Sequence, residues 1–407
     1  MILKWLEKID WLLLLLTLSL SIAGLIALKS VSVQMIINSG QNPFVKQLVF
    51  VIIGVILALF LANMPTKTFY KYAWGFYIFS ILLLLFVIIT GRPGYGATRW
   101  IRIFGIQFQP SEFAKIAVLL GLARYLSDTK SEINSFKVFI TSMLIIGVPW
   151  FLIFVEPDLG TSLVFLAFFF PVLFWVDFKL TTIALVVSPL FIMISVSNNN
   201  ILIAISVLLF IFLFFLRIPL KWKILVIIIN IGFAFGATPV WNSLKPYQQK
   251  RILTFMDPSA DPKGAGYQVI QSMVTVGSGG ISGQGYKLGS QTQLGFIPEQ
   301  HTDFIFTVIG EEFGFIGVIT VLMLFLFTVW RIIWIGKNGK TTFTGLISIG
   351  IATIISFHFL VNIGMTLGVM PVTGLPLPFL SFGRSSLVAF FVMIGLCLNF
   401  YKNRMEY

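Results

Sequence analysis

The chain has 407 residues, of which 57% are hydrophobic and only 11% are charged, and its mean hydropathy is +0.97. A soluble domain carries about a quarter charged residues, so this composition excludes an ordinary soluble enzyme and predicts an all-α polytopic membrane protein. The single cysteine, Cys397, excludes an intramolecular disulfide framework.

Twelve apolar runs, bounded by charged residues, proline or asparagine, predict about twelve transmembrane helices and place both termini on one side. They lie at 11–28, 45–63, 72–90, 112–126, 136–155, 160–177, 180–196, 201–216, 223–238, 304–330, 344–366 and 385–401. We interpret the first run as a retained helix rather than a cleaved signal peptide. The runs 180–196 and 201–216 are short, since sixteen residues form about 24 Å of helix against roughly 30 Å of hydrocarbon. They are either full spans that use flanking residues or a re-entrant pair.

The distribution of Lys and Arg predicts that both termini are cytoplasmic. In this orientation the outer cations gather mainly at 92–102, 245–287 and Arg384. Positive charge in short outer loops opposes the usual orientation rule, and it suggests an anionic ligand on the outer face. The alternative is that these cations pair with local acids or with lipid phosphates.

The interval 238–303 is the one long polar segment, and we predict that it is a large extracytoplasmic loop. Nine glycines fall within 264–295, which would let the backbone turn sharply and approach a ligand closely. Asp303 stands where the next apolar helix starts, and the positive end of the helix dipole stabilises a carboxylate there. The alternative is an ordered surface loop with scattered charges.

Charged residues also occur within or beside the predicted spans. Glu112 and Lys115 are three residues apart and share a helix face, so they either face a water-filled cavity or form a self-neutralising structural pair. Asp158, close to Glu156, either caps the next helix or belongs to a site. Trp100, beside Arg99, suits an interfacial anchor as well as a site.

Two further segments carry polar groups at membrane depth. Glu311 lies about 80° around the helix from Asp303 and about 12 Å deeper, so it could line the same cavity, whereas Glu312 is expected to pair within the bundle. The proline- and glycine-rich segment 368–387 ends near Arg384. Non-helical backbone at this depth lines a cavity or is buried in protein, so we expect this segment to cover the site or hold an anion.

The motifs that are missing narrow the chemistry. The sequence contains no phosphate-binding nucleotide motif and neither a GxSxG nor an HExxH pattern. We therefore expect no nucleotide, haem or flavin cofactor and no nucleic-acid partner. A carboxylate flanked by cations can deprotonate a hydroxyl and stabilise a departing phosphate-type anion, which indicates an outer-face site for an amphipathic anion.

Eight motifs, in a fixed order, closely resemble the SEDS family (shape, elongation, division and sporulation). They are GATRWI with QPSEFAKIA, EPDLGTS, KPYQQKR, DPSADPKGAGYQVIQS, GSQTQLGFIPEQHTDFIF, IGEEFG and GVMPVTGLPLPFLSFGRSSL. The sequence around the HTDF motif is more similar to the rod-shape branch of the family than to the division branch. The chain departs from the family pattern in its three apolar runs over 180–238, where the family has one, which predicts an added pair near 180–216. It also has Arg384 where a glycine is usual.

The resemblance implies a single transmembrane domain over 1–407, with 238–303 as its extracytoplasmic catalytic loop. It implies a peptidoglycan glycosyltransferase of the bacterial cytoplasmic membrane that polymerises lipid II and releases undecaprenyl diphosphate. The implied partners are lipid II, membrane lipid and a class B penicillin-binding protein, with a divalent metal such as Mg²⁺ as a cofactor. The alternatives are a lipid II flippase and a non-catalytic scaffold for the penicillin-binding protein.

The resemblance also assigns residues. The family's catalytic aspartate corresponds to Asp303, which would act as general base on the acceptor sugar in an inverting transfer. The family's cavity residues correspond to Trp100, Glu112, Lys115, Asp158, Gln248 and Arg251. Arg251, Lys115 or a bound Mg²⁺ would offset the charge that builds on the diphosphate.

Overall fold

Each of the twelve predicted apolar runs forms a helix in the computed structural model, which describes residues 9–39, 42–90, 99–103, 106–130, 133–196, 199–216, 219–243, 249 and 265–405. The helices are α1 (Trp11–Ser39), α2 (Pro43–Ala62), α3 (Thr66–Thr90), α4 (Pro110–Asp128), α5 (Phe136–Val155), α6 (Leu159–Trp175), α7 (Leu180–Ser195), α8 (Asn199–Phe215), α9 (Leu220–Ser243), α10 (Ala265–Ser278), α11 (Ser290–Leu294), α12 (Ile305–Lys337), α13 (Thr342–Thr366) and α14 (Arg384–Lys402).

The chain is an all-α polytopic membrane protein. Within the described part, eight helices are long and apolar enough to cross a membrane, namely α1, α2, α3, α5, α9, α12, α13 and α14, and α6 and α8 are shorter apolar helices. The strands β1 (Ile101–Ile103) and β2 (Ile106–Phe108) form a short antiparallel hairpin that pairs Ile101 with Phe108 just before α4.

The chain divides into two compact units, of which one comprises Met1–Val176 with Thr254–Tyr407 and the other Asp177–Leu253. In the larger unit the central helix is α13. In an apolar stretch of 18 residues, 78% of the residues are buried in α13, against 22% in α2. It packs against α4, α6 and α12, while α14 packs along α2. In the smaller unit α7 packs against α8 and α9, and Asn230 donates to the Ser188 hydroxyl at 3.0 Å.

Small residues permit the close helix contacts of the larger unit. A Cβ added at Gly395 of α14 would lie 2.8 Å from the Ala58 Cα of α2, and a Cβ at Gly24 of α1 would lie 2.5 Å from the Leu380 Cα. Close backbone approach between spanning helices depends on such residues. The second contact also holds α1 against the segment 369–383, which joins α13 to α14.

The glycine-rich part of the polar interval has a structural role that the sequence did not indicate. Helix α10 lies within this interval, and the turn that follows it pairs with α12 where α12 breaks at Gly314 (φ 62°). Gln284 N donates to Glu311 O at 2.9 Å, and Phe315 N donates to Gly280 O at 2.9 Å. These glycines therefore approach another helix, and the broken helix recovers its lost hydrogen bonds from the turn.

Candidate functional site

Asp303 lies two residues before α12 and is partly exposed. Its backbone N–H donates to Glu299 O at 3.1 Å, and its carbonyl accepts from the Asn362 amide of α13 at 2.9 Å. A Cβ added at Gly374 would lie 3.5 Å from the Asp303 Oδ2. The partly exposed carboxylate therefore lies beside the segment 369–383.

The segment 369–383 connects the parts of the site. Its Leu375 carbonyl accepts from Asn362 at 2.8 Å, and its Phe382 N–H donates to His301 O at 2.9 Å. Thr373 lies against the start of α6, since a Cβ added at Gly160 would be 2.8 Å from the Thr373 carbonyl oxygen. The segment thus lies between α6, α13 and the residues that precede α12.

Glu112 and Lys115 form a buried ion pair at the start of α4. Lys115 Nζ lies 2.9 Å from Glu112 Oε2, and the side chains are 0% and 3% exposed. On its other side the Lys115 Nζ lies 3.0 Å from His358 Nε2. The ammonium is enclosed by these neighbours, so direct contact with a substrate requires them to move.

Asp158 caps α6 and also belongs to a charged cluster. Its carboxylate accepts from Thr161 N at 3.1 Å and from the Gln109 amide at 3.2 Å, and it lies 3.8 Å from the Arg99 guanidinium. The helix-cap and site interpretations of Asp158 are therefore compatible.

Arg99 and Glu156 complete this cluster. Arg99 donates to the Glu156 and Pro157 carbonyls, and its side chain is 27% exposed. Burial, with a smaller contribution from the nearby Asp158 charge, raises the pKa of the Glu156 carboxyl to about 8, although Arg99 opposes the shift. Glu156 is therefore largely protonated at pH 7, unlike an exposed glutamate.

Arg384 lies at the start of α14, on the same side as these groups. Its guanidinium donates to the Gln107 side chain of β2 at 2.8 Å, and the adjacent Ser385 hydroxyl accepts from Gln109 N at 3.1 Å. Arg384 is half-buried and so keeps an exposed part. We call the end of the bundle that holds Glu112, Asp158, Asp303, Asn362 and Arg384 the site end.

Two of the predicted residues lie outside the described part of the chain, namely Gln248 and Arg251. Trp100, which is 40% exposed, immediately follows the Arg99 of the Asp158 cluster. Glu112, Lys115, Asp158 and Asp303 all lie at the site end, linked through α13 and the segment 369–383. The roles assigned to these residues stay predictions.

Glu311 and Glu312 bind within the bundle. The Glu311 carboxylate, which is 0% exposed, accepts from the Gln291 and Thr292 backbone N–H groups at 2.7 and 2.8 Å. It therefore caps the N-terminus of α11. The helical spacing had suggested instead that Glu311 could line the same cavity as Asp303. Glu312 accepts from the Ser30 hydroxyl of α1, in agreement with the expected pairing.

The described residues contain no group of three or more His, Cys, Asp or Glu side chains that could hold a metal ion. The oxygens of Asp158 are already occupied by Thr161, Gln109 and Arg99. The divalent metal implied by the resemblance stays a prediction.

Sequence reasoning missed two buried residues of α13, His358 and Asn362. The available signal was their four-residue spacing, which places two polar side chains on one face of an apolar helix. Burial lowers the pKa of His301, two residues before Asp303, although the Glu299 charge opposes the shift.

The site end can bind an anion and accept a proton. The partly exposed guanidinium groups of Arg99 and Arg384 can stabilise negative charge, and the partly exposed Asp303 carboxylate can take a proton from a bound hydroxyl. The buried pair of Glu112 and Lys115 supplies a fixed dipole behind these groups.

A model of the FtsW, RodA and SpoVE family, described as a cell cycle protein, matches residues 9–206 and 190–406. Peptidoglycan glycosyltransferase MrdB of Escherichia coli K12 is 33% identical over 354 residues, covering 86% of this chain and 83% of MrdB. Peptidoglycan glycosyltransferase RodA of Treponema pallidum is 35% identical over 414 residues, covering 92% and 95%.

Solved structures give the same result for the fold. A chain from a peptidoglycan synthase complex, reported for its coordination of polymerisation and crosslinking, aligns with a TM-score of 0.73 and 30% identity over 98% of this chain and 99% of that chain. The crystal structure of the rod shape determining protein RodA of Thermus thermophilus aligns with a TM-score of 0.63 and 25% identity, covering 98% of each chain.

Proposed function

The chain belongs to the FtsW, RodA and SpoVE family, and from this membership we propose that it is a peptidoglycan glycosyltransferase that polymerises lipid II for cell elongation. The reaction joins the disaccharide-pentapeptide of one lipid II to a growing glycan and releases undecaprenyl diphosphate. The relatives named above as peptidoglycan glycosyltransferases support this activity, and the rod-shape relatives support the elongation branch.

In the proposed reaction Asp303 is the general base. Its carboxylate takes the proton of the acceptor sugar's 4-hydroxyl as that oxygen attacks the anomeric carbon of the donor. A new carbon–oxygen bond forms on the face opposite the diphosphate, the anomeric bond to the phosphate oxygen breaks, and undecaprenyl diphosphate carries away the electron pair. An α-linked donor therefore gives a β-linked product.

The observation that carries the proposal is the location of Asp303. It is a partly exposed carboxylate with its backbone fixed by Asn362, and it lies at the end of the bundle where the charged clusters gather. By contrast, Glu112 is 2% exposed and Glu311 is 0% exposed. Of these three acids, Asp303 is the most exposed, and it is therefore best suited to meet a sugar hydroxyl.

Two arginines are suited to the diphosphate. Arg99 and Arg384 each keep an exposed part and present charge at the site end, and guanidinium groups bind phosphate oxygens in pairs. Lys115 would act on the diphosphate only at a distance, because its ammonium is held between Glu112 and His358.

An apolar cavity of about 300 Å³ can accept part of the lipid chain. It lies between α2, α3, α4 and α14, and its walls include Phe79, Phe108, Phe113 and Val392. Phe108 and Pro110, which both line it, lie four and two residues before Glu112 in the chain, so a lipid in this cavity would end near the proposed reaction centre. We propose that part of an undecaprenyl chain lies here.

The orientation and the partner belong to the same proposal. The Lys and Arg distribution supports cytoplasmic termini and an extracytoplasmic site end in the bacterial cytoplasmic membrane. The similarity to a chain of a synthase complex that couples polymerisation with crosslinking supports a class B penicillin-binding protein as partner.

The test uses the purified full-length chain with its penicillin-binding protein partner and labelled lipid II. We expect glycan strands on a gel and release of undecaprenyl diphosphate. The same preparation is assayed in vesicles for lipid II translocation. Translocation without polymerisation would contradict the proposal in favour of a flippase, and the absence of both activities would favour a scaffold.

A further inference from the structure

Two polar side chains of α13 are buried at the site end, and neither takes part in the proposed reaction. His358 and Asn362 are both 0% exposed and lie four residues apart on one helix face. Polar groups in a spanning helix are costly unless they are satisfied. Their contacts therefore indicate what they are retained to hold.

Asn362 joins two separate segments. Its amide nitrogen donates to the Asp303 carbonyl at 2.9 Å and to the Leu375 carbonyl at 2.8 Å. A side-chain amide has two N–H donors, and both are used on backbone carbonyls. The backbone of the proposed base is thereby fixed relative to the segment 369–383.

His358 joins Lys115 to the same segment. Its Nδ1 lies 3.1 Å from the Pro376 carbonyl, and a carbonyl oxygen can only accept, so Nδ1 carries the proton. Nε2 is then an acceptor and faces the Lys115 ammonium, a pure donor, at 3.0 Å. Lys115 is consequently held between a carboxylate and a neutral imidazole.

We propose that His358 and Asn362 are positioning residues that fix the Asp303 carboxylate and the Lys115 ammonium relative to each other. The connection runs through Leu375 and Pro376, which are consecutive in the chain, so a shift of that short stretch moves both groups. The inference rests on the proposed role of Asp303, and it adds that the catalytic geometry is set by α13.

The test compares two buried asparagines of equal exposure. Asn362→Leu keeps the approximate volume and removes both donors at the site end. Asn399→Leu is the matched control, because Asn399 is also 0% exposed and donates to backbone carbonyls, including Leu61 O at 2.9 Å, but away from the site. Each variant is purified with the partner protein, and kcat, KM for lipid II and the melting temperature are measured.

We expect Asn362→Leu to lower kcat by about 10- to 100-fold, with KM changed by less than about threefold, because a misplacement of about 1 Å can cost about 10²-fold in rate. Asn399→Leu should lower the melting temperature and leave kcat near wild type. If Asn362→Leu does not fold, Asn362→Ser, which keeps one donor, should give an intermediate kcat.

His358 supplies a rescue experiment. His358→Leu should lower kcat, whereas His358→Gln should restore most of it, since a glutamine amide can donate to Pro376 O and accept from Lys115. The inference is wrong if Asn362→Leu, or Asn362→Ser in its place, retains wild-type kcat, or if His358→Gln is no better than His358→Leu. Wild type and Asp303→Asn are run alongside, so that an inactive wild type or an active Asp303→Asn variant identifies failure of the proposed function instead.

Discussion

The buried pair of Glu112 and Lys115 gives the sharpest prediction for stability. The perturbations are Glu112→Gln, Lys115→Met and the two combined. The first removes the negative charge that neutralises the ammonium and leaves it two neutral acceptors, the new amide oxygen and His358. The second leaves a carboxylate without its cation. The combined variant leaves no charge at either position.

The magnitude follows from burial and distance. The pair is 2.9 Å apart, and the side chains are 0% and 3% exposed, so solvent cannot compensate a charge that loses its partner. Removing one partner of a buried pair costs about 3–5 kcal/mol, whereas replacing both with neutral groups is often nearly neutral. We therefore expect each single variant to lose about 3 kcal/mol or more of unfolding free energy and the combined variant to lose less than either.

The assay is reversible unfolding of the purified chain in mixed micelles, in which a denaturing detergent is titrated and helix content is followed by circular dichroism. The double-mutant cycle then gives the coupling energy between the two side chains. Single-variant losses below about 1 kcal/mol that simply add would refute the reasoning, because they are the values expected of a solvated surface pair.

Two further predictions concern acids outside the reaction. Burial and the Asp158 charge raise the pKa of the Glu156 carboxyl from an ordinary 4.5 to about 8. Between pH 4.5 and pH 8 this carboxyl therefore holds more protons in the folded chain than in the unfolded chain. The unfolding free energy of the wild type should therefore fall as pH rises through that interval, by at most about 5 kcal/mol. Glu156→Gln should flatten the dependence of melting temperature on pH, and an unchanged slope of melting temperature against pH would contradict this. Glu311→Ala should lower the unfolding free energy by about 3 kcal/mol, because it leaves the buried N–H groups of α11 without their charged acceptor. The loss is measured by the same unfolding titration. A loss comparable to that of an exposed Glu299→Ala control would show that the cap contributes little.

The helices were predictable because hydrophobic length is a local property of the sequence. The run 136–155 coincides with α5, and 344–366 differs from α13 by two residues at its start. The prediction for 11–28 ended too early, since α1 continues to Ser39 through polar residues. A hydropathy boundary marks the edge of an apolar run, and a helix continues as long as its backbone hydrogen bonds are satisfied.

Parts of the site were predictable for the same reason. Acidic residues at the start of an apolar helix interrupt the hydrophobic pattern, and this indicated Glu112, Asp158 and Asp303 as candidates. Glu311 was misplaced because helical geometry gives a direction but not the neighbour that occupies it. The neighbour is α11, a short helix whose N-terminal N–H groups have no acceptor within their own helix.

His358 and Asn362 could not be assigned from the sequence because their partners are distant in it. Asn362 contacts a residue 59 positions away, and His358 contacts one 243 positions away. Only the folded chain shows that one face of α13 reaches Asp303, Lys115 and the segment 369–383 together.

The most direct measurement is the initial rate of lipid II polymerisation by Asp303→Asn, compared with wild type and with Glu299→Gln as a matched control four residues away. Removing a general base should lower the rate by about 10²- to 10⁴-fold, with the melting temperature and lipid II binding retained, and Glu299→Gln should polymerise at close to the wild-type rate. Normal-length glycan made by Asp303→Asn at an undiminished rate would contradict the account.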